Sequence, residues 1–206
     1  MNGSENPDCP YELTNNEVVW SGRWMQTRRV QFKPKTGGQQ GVWESAHRNT
    51  TPSTAPAAGV SVIARVRKEG KVFVVLIKQY RIPCRKMVLE LPAGLIDEGE
   101  TAVQAGTREL LEETGYTYGK VVMETKICYL DPGLTDDSQC LVVVDVDVDA
   151  PENQNPVQQL ESDESIEVVL VEQSKLMDYI SDLDQSVIIV EGTLLAYAMG
   201  LRLATL

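Results

Sequence analysis

Three glutamates, Glu109, Glu112 and Glu113, lie within five consecutive residues of the stretch GLIDEGETAVQAGTRELLEETGY, residues 94–116. On a helix, spacings of three and four place carboxylates on one face. Like charges crowded there repel, so the arrangement calls for something positive. Hard divalent cations such as Mg²⁺ take carboxylate oxygens and water, and an acidic helix face beside a loop suits them. Spacing alone leaves a second reading open, a solvated acidic face with no ligand.

Several elements must hold these side chains. Thr101 and Gln104 have capping-box spacing, and Gly115 supplies a left-handed stop, so a helix is expected over 101–114. Strand-like segments are expected at 60–66 and 72–80, paired as a hairpin across the turn at 68–71. Further strands are expected at about 120–130, 139–148 and 165–172, and helices at about 174–183 and 187–204. Ahead of these, 17–32 and 42–48 form a second candidate hairpin around the turn-prone stretch 34–41, and the Thr, Pro and Ala-rich segment 49–59 connects it to the rest. The expected organisation is an N-terminal β arm, residues 1–55, and a main domain, 56–206. Strands followed by flanking helices imply an α+β architecture, a mixed sheet covered by helices.

Composition excludes several other chemistries. Thirty acidic against 19 basic side chains give a net charge of -11, which disfavours nucleic acid and anionic membranes as partners. A polyanionic substrate would need a metal between it and the chain. The single histidine, His47, excludes a multi-histidine zinc site, and a serine triad would have to depend on it alone. The four cysteines, Cys9, Cys84, Cys128 and Cys140, form no C-x-x-C pair and read as scattered thiols of a reducing compartment. The polar, acidic start carries no secretory or mitochondrial leader pattern, and no apolar run approaches the ~18 residues of a membrane span. A cytoplasmic or nuclear address is expected, which sets aside the glycosylation-like triplets at Asn2 and Asn49. No P-loop or G-x-G-x-x-G occurs.

The pattern as a whole says more than its glutamates. Gly94, five residues, Glu100, seven residues, Arg108-Glu109-Leu110, one residue, Glu112-Glu113, one residue, Gly115 and the bulky apolar Tyr116 resemble the Nudix box throughout. Tyr116 stands where an aliphatic residue is more usual. Outside the box, GRWMQ around Trp24, VWESAHR (42–48), KQYR (78–81), LPAGLID (91–97) and YLDPGLTDD (129–137) resemble the ADP-sugar pyrophosphatase subfamily, which includes the ADP-ribose pyrophosphatases. The likeness is greatest to the mammalian-type cytosolic ADP-sugar diphosphatases, and it runs from about Trp20 to the final helix.

That resemblance implies an α/β/α sandwich with a loop–helix–loop holding Mg²⁺, or Mn²⁺, on Glu109, Glu112 and Glu113, with the Ala93 carbonyl added. Glu100 and Arg108 would hold the motif together as an ion pair, while Gly94 and Gly115 would serve a tight loop and a helix stop. Trp24, from a partner subunit of a homodimer, and Trp43 would sandwich an adenine, or else be core residues of the arm. Glu44 would hydrogen-bond the base, Arg48 and Arg81 would grip phosphates or ribose, and Leu95 and Asp131 would contact the nucleotide or terminal ribose. In ESDESIEVVLVE (161–172) the general base aligns with Glu164, with Glu161, Asp163 and Glu167 as neighbours. The implied activity is hydrolysis of ADP-ribose to AMP and ribose 5-phosphate. The alternatives are a Nudix hydrolase of UDP-sugars, oxidised guanosine diphosphates, NADH or diadenosine polyphosphates, and a non-catalytic module that binds ADP-ribose.

Overall fold

The computed structural model describes residues 7–117 and 119–206. Asn2 and the first six residues of the arm lie outside them. The chain forms two compact units, Met1–Thr51 with Tyr129–Ser138, and Pro52–Cys128 with Gln139–Leu206.

In the first unit, β1 (Tyr11–Ser21), β2 (Met25–Pro34) and β3 (Gly41–Arg48) form an antiparallel sheet in that order. The segment 17–32, expected as one strand, is broken by a turn in which the Gly22 N–H donates to the Met25 carbonyl at 2.8 Å. Gly22 lies against the Trp20 ring with no room for a Cβ. The result is three strands where the sequence suggested a two-stranded hairpin. Register pairs Arg28 with Ser45 and Arg29 with Glu44. The free edge of β3 is met by a parallel bridge, Ala46 to Thr135.

The second unit holds β4 (Gly59–Lys68), β5 (Lys71–Arg81), β6 (Lys86–Glu90), β7 (Ala93–Leu95), α1 (Ala102–Thr114), β8 (Lys120–Glu124), β9 (Cys128–Tyr129), β10 (Ser138–Val146), α2 (Pro151–Gln154), β11 (Ile166–Glu172), α3 (Leu176–Ser181), β12 (Ile188–Val190) and α4 (Gly192–Leu203), with β9 and β10 starting or ending at its border. Its sheet runs β12-β6-β5-β4-β10-β8, with β11 also pairing β5 and β7 pairing β4. β4 with β10 and β6 with β12 are parallel, and β4 with β5 and β5 with β6 antiparallel, so the sheet is mixed.

Alternation along the strands builds two apolar layers. Val60, Val62, Ala64 and Val66 of β4 and Val75 of β5 pack with Ala102, Ala105 and Leu110 of α1. Ile63, Val74 and Leu76 face the other way, onto Leu176, Ile180, Leu194 and Ala198 of α3 and α4. This is the helix–sheet–helix sandwich of an α+β fold. Gly106 lets α1 sit close to the sheet, since a Cβ there would come within 3.2 Å of Val62.

The C-terminal third departs from expectation in one place. Residues 187–204, expected as one helix, divide into β12 and α4. The β-branched run Val187-Ile188-Ile189-Val190 favours a strand. Glu191 then caps α4, its carboxylate accepting from the Thr193 and Leu194 N–H groups at 2.7 and 2.9 Å. β6, β7 and α2 are additional elements, and the expected 120–130 strand stops at Glu124.

Candidate active site

The site grows from how α1 is anchored. The Thr101 hydroxyl accepts from the Gln104 N–H and the Gln104 side chain accepts from the Thr101 N–H, which makes the expected capping box. At the other end Gly115 has φ 76 and its N–H donates to the Leu111 carbonyl at 2.8 Å. The loop after α2 lies across this end. Gln159 N–H donates to the Glu112 carbonyl at 2.8 Å, and the Gln158 side-chain amide bridges the carbonyls of Glu113 and Ile166. These bonds satisfy carbonyls that a helix end leaves unpaired, and they tie the acidic loop 156–165 to the helix. A Cβ at Gly115 would overlap the Pro156–Val157 backbone.

Arg108 is the hub of the exposed side. Its Nε and Nη2 grip the two Glu100 oxygens at 3.0 and 2.9 Å, and Nη2 also donates to the Leu95 carbonyl at 2.9 Å. The Glu100–Arg108 pair is joined by contacts the sequence did not announce, from Nη1 to Glu109 at 2.7 Å and to Glu112 at 3.2 Å. The hydrogen bonds from Arg108 hold the Glu100 carboxyl below its ordinary range. Donating to Glu100, then to Glu109, holds the guanidinium above its own.

On the buried side lies Glu113, only 3% exposed, its Oε2 accepting from the Ala93 N–H at 2.9 Å. Burial pushes its carboxyl up to about 8, and the negative charges of Glu109 and Glu164 add to the effect, against the Ala93 N–H and Arg81. Burial also raises Glu109, with Glu112 and Glu164 reinforcing it and Arg108 opposing. Glu164 thus acts electrostatically on both buried carboxylates. Its own Oε2 accepts from the Glu161 N–H at 2.9 Å, while Glu167 lies in β11 and pairs with Lys78 at 3.1 Å. Gly94 has a role different from the tight loop expected of it. It sits in β7 opposite Val60, and a Cβ there would overlap the Glu109 carboxylate. Arg81 is held by the buried Glu90 through Nε and Nη2 at 2.8–3.1 Å.

The first unit carries the remaining candidates. Trp24 is 60% and Trp43 54% exposed, so neither is a core residue of the arm. The Arg23 guanidinium lies 4.4 Å from the Trp24 ring centre. Trp43 Nε1 donates to the Gly133 carbonyl at 3.1 Å, and its ring meets Phe32 edge-on. Glu44 accepts from Arg29, and Arg48 grips Asp137 in a fork at 2.8 and 3.1 Å. Asp131 is exposed, and its backbone carbonyl closes the turn by accepting from the Leu134 and Thr135 N–H groups.

The NUDIX domain model matches residues 55–186 of this chain. The chain belongs to the Nudix family. This Nudix hydrolase is 71% identical to "Putative nudix hydrolase 2" of Caenorhabditis elegans, over 97% of its own length and 89% of that protein's. It is 39% identical to the ADP-ribose pyrophosphatase of Saccharomyces cerevisiae, over 88% of its own length and 78% of that protein's. Identity to the ADP-sugar pyrophosphatase of Mus musculus is 30%, over 92% and 87%. A crystal structure of an ADP compounds hydrolase superposes with a TM-score of 0.67 over 95% of both chains at 19% identity, a likeness of fold.

The donor chemistry of this Nudix chain fits a hard divalent cation. Glu109, Glu113 and Glu164 bring an excess of negative charge to a largely buried place, and oxygen ligands are what Mg²⁺ prefers. Among the described residues no three acidic, imidazole or thiol side chains close round one point, and Arg108 pairs with both Glu109 and Glu112. Glu90 and Gln158 escaped the sequence reading. A lone glutamate inside the apolar run Met87–Leu91 was the available signal for Glu90; Gln158 had none.

Proposed function

We propose that this Nudix hydrolase cleaves the diphosphate linkage of ADP-ribose, giving AMP and ribose 5-phosphate with Mg²⁺, or Mn²⁺, bound. The observation that carries this reading is the cluster of Glu113, Glu109 and Glu164 in a largely buried place, whose negative charge the Ala93 N–H, Arg81 and Arg108 offset only in part. The yeast and mouse relatives, named for ADP-ribose and ADP-sugars, supply the substrate class.

In this account Glu109, Glu112, Glu113 and the Ala93 carbonyl would hold the metal, which would supply neutralisation of phosphate oxygens and a more acidic water. For those glutamates to serve, Arg108 Nη1 would have to release Glu109 and Glu112 while its fork on Glu100 stays. Glu164 takes the proton of the attacking water at its carboxylate. Arg81 and Arg48, pre-oriented by Glu90 and Asp137, grip phosphate or ribose as bidentate donors. Trp43 and the partner subunit's Trp24 stack on the adenine, Glu44 accepts a hydrogen bond from it, and Leu95 and Asp131 contact the nucleotide or the terminal ribose. The arm, residues 1–55, serves dimerisation, with 56–206 as the hydrolase domain. Exposed Tyr11, Leu13, Val18, Val19 and Trp20 on β1 give it the apolar surface a partner subunit would cover. The four free cysteines suit a reducing compartment, cytoplasm or nucleus.

The test is AMP release from ADP-ribose by Glu112→Gln and Glu164→Gln variants. Each should lower kcat by about 10²-fold or more while the melting curve stays in place. Near-wild-type turnover in both would remove the metal and base assignments.

A further inference from the structure

We infer that Ser45, His47 and Asp136 form a second nucleophilic site, of the serine type, that takes short acyl esters. Ser45 Oγ lies 2.8 Å from His47 Nε2, and His47 Nδ1 lies 2.6 Å from Asp136 Oδ2. A hydroxyl on one ring nitrogen and a carboxylate on the other is the order of contacts that activates a serine, whatever the fold or sequence order. The strand supplies the geometry. Ser45 and His47 are two apart on β3 and therefore share a face. Asp136 arrives from the segment whose Thr135 bridges Ala46. The carboxylate fixes the tautomer with hydrogen on Nδ1, which leaves Nε2 free to accept from the serine.

Two further observations point to a ligand. Arg28 is the cross-strand partner of Ser45 and so projects from the same face. Its Nε is buried and has no hydrogen-bond partner, in a sheet where Arg29 and Arg48 are both held by carboxylates. A cavity of about 290 Å³ is lined by Arg28, Ser45 and Thr27, by Glu44, whose carboxylate is held by Arg29, and by apolar Val19, Ala46 and Leu134. An unsatisfied cationic donor beside an activated hydroxyl is where an oxyanion would be stabilised. The apolar walls and small volume fit a short alkyl acyl group.

The reaction balances without any added oxidant, reductant or metal. Ser45 Oγ bonds to the ester carbonyl carbon as its proton passes to His47 Nε2, and the carbonyl oxygen takes the negative charge facing Arg28. The C–O bond to the alcohol breaks and the alkoxide leaves with the proton from Nε2. Water then attacks the acyl-serine, its proton passes to Nε2 and on to Ser45 Oγ as that bond breaks, and the acid departs. This chemistry uses none of the residues assigned to the metal, the general base or the phosphates, although Glu44 and Val19 line the same cavity.

The experiment uses the full chain with a fluorophosphonate probe, the adduct located by peptide mass spectrometry, and p-nitrophenyl acetate turnover alongside. The expected result is one dominant adduct, on Ser45. His47→Gln and Asp136→Asn, which keep polar links in place, should each slow labelling by about 10²-fold or more. Ser45→Ala should abolish both the adduct and the ester turnover. Wild-type protein that gives no adduct at Ser45 overturns the proposal, and this arm depends on no variant folding. A Ser45 adduct formed equally fast in both other variants, or ester turnover surviving Ser45→Ala, overturns it too, since a purely structural Ser45–His47–Asp136 chain would alter melting without altering reactivity.

Discussion

Replacing Glu113 by glutamine in metal-free protein removes one ionisation from the most buried carboxylate of the candidate site while keeping its shape and its acceptor for the Ala93 N–H. In the folded chain burial lifts this group from 4.5 to about 8. A folded-state value above the unfolded one means that the native state holds the proton longer. The stability linked to it is therefore complete below pH 4.5 and is lost as pH rises toward 8. At about 1.4 kcal/mol per pH unit, the loss by pH 8 is on the order of 4 kcal/mol. Glu109 is raised in the same sense and adds to the slope. Urea denaturation in the presence of a chelator, at several values between pH 5.5 and 8.5, should show wild-type stability falling with pH and Glu113→Gln falling much less. The variant should be the more stable protein at pH 8 by several kcal/mol, and Mg²⁺ should flatten the wild-type curve. Parallel curves for the two proteins, or a wild-type curve that rises with pH, would refute the argument that burial leaves this charge uncompensated.

Gly115→Ala places a Cβ at φ 76 and against the Pro156–Val157 backbone, so it should lower stability by more than about 1 kcal/mol and, by moving the loop that carries Glu164, reduce kcat; an unchanged melting temperature would contradict the packing described. Glu100→Gln removes a carboxyl held low by Arg108, whose stabilisation is present above the ordinary carboxylate range and lost as pH falls through the depressed value. Acid denaturation should therefore be shallower in that variant, and an identical acid limb would contradict it. Trp43→Ala, at an exposed ring, should raise KM for ADP-ribose with little change in melting temperature, whereas a large stability loss with unchanged KM would make it a packing residue.

What could be read from the sequence was local. The capping box at Thr101 and the stop at Gly115 each depend on residues within a few turns of one another, and the structure has both where the spacing puts them. What escaped depends on neighbours brought in by folding. Gly94 looks like a loop device until the Glu109 carboxylate is seen lying where its Cβ would be. β12 is three residues long and exists because β6 offers it a parallel edge, a partner about a hundred positions away that no helical periodicity reveals. Arg81 of β5 lies opposite Lys86, and Glu90 of β6 opposite Ile77, yet their side chains meet along the two strands, and only the folded pair shows that the arginine is already oriented. His47 alone gave little reason to suspect nucleophilic chemistry, since its carboxylate partner, Asp136, is 89 residues distant.

The most direct measurement is a Mg²⁺-dependent turnover screen with product identification over ADP-ribose, ADP-glucose, UDP-glucose, NADH and oxidised deoxyguanosine diphosphate. The account predicts metal-dependent release of AMP, fastest from ADP-ribose. A UDP-sugar or the oxidised nucleotide turned over in preference would contradict the assignment of Trp24, Trp43 and Glu44 to adenine, and binding of ADP-ribose with no turnover in Mg²⁺ would contradict the hydrolase reading itself.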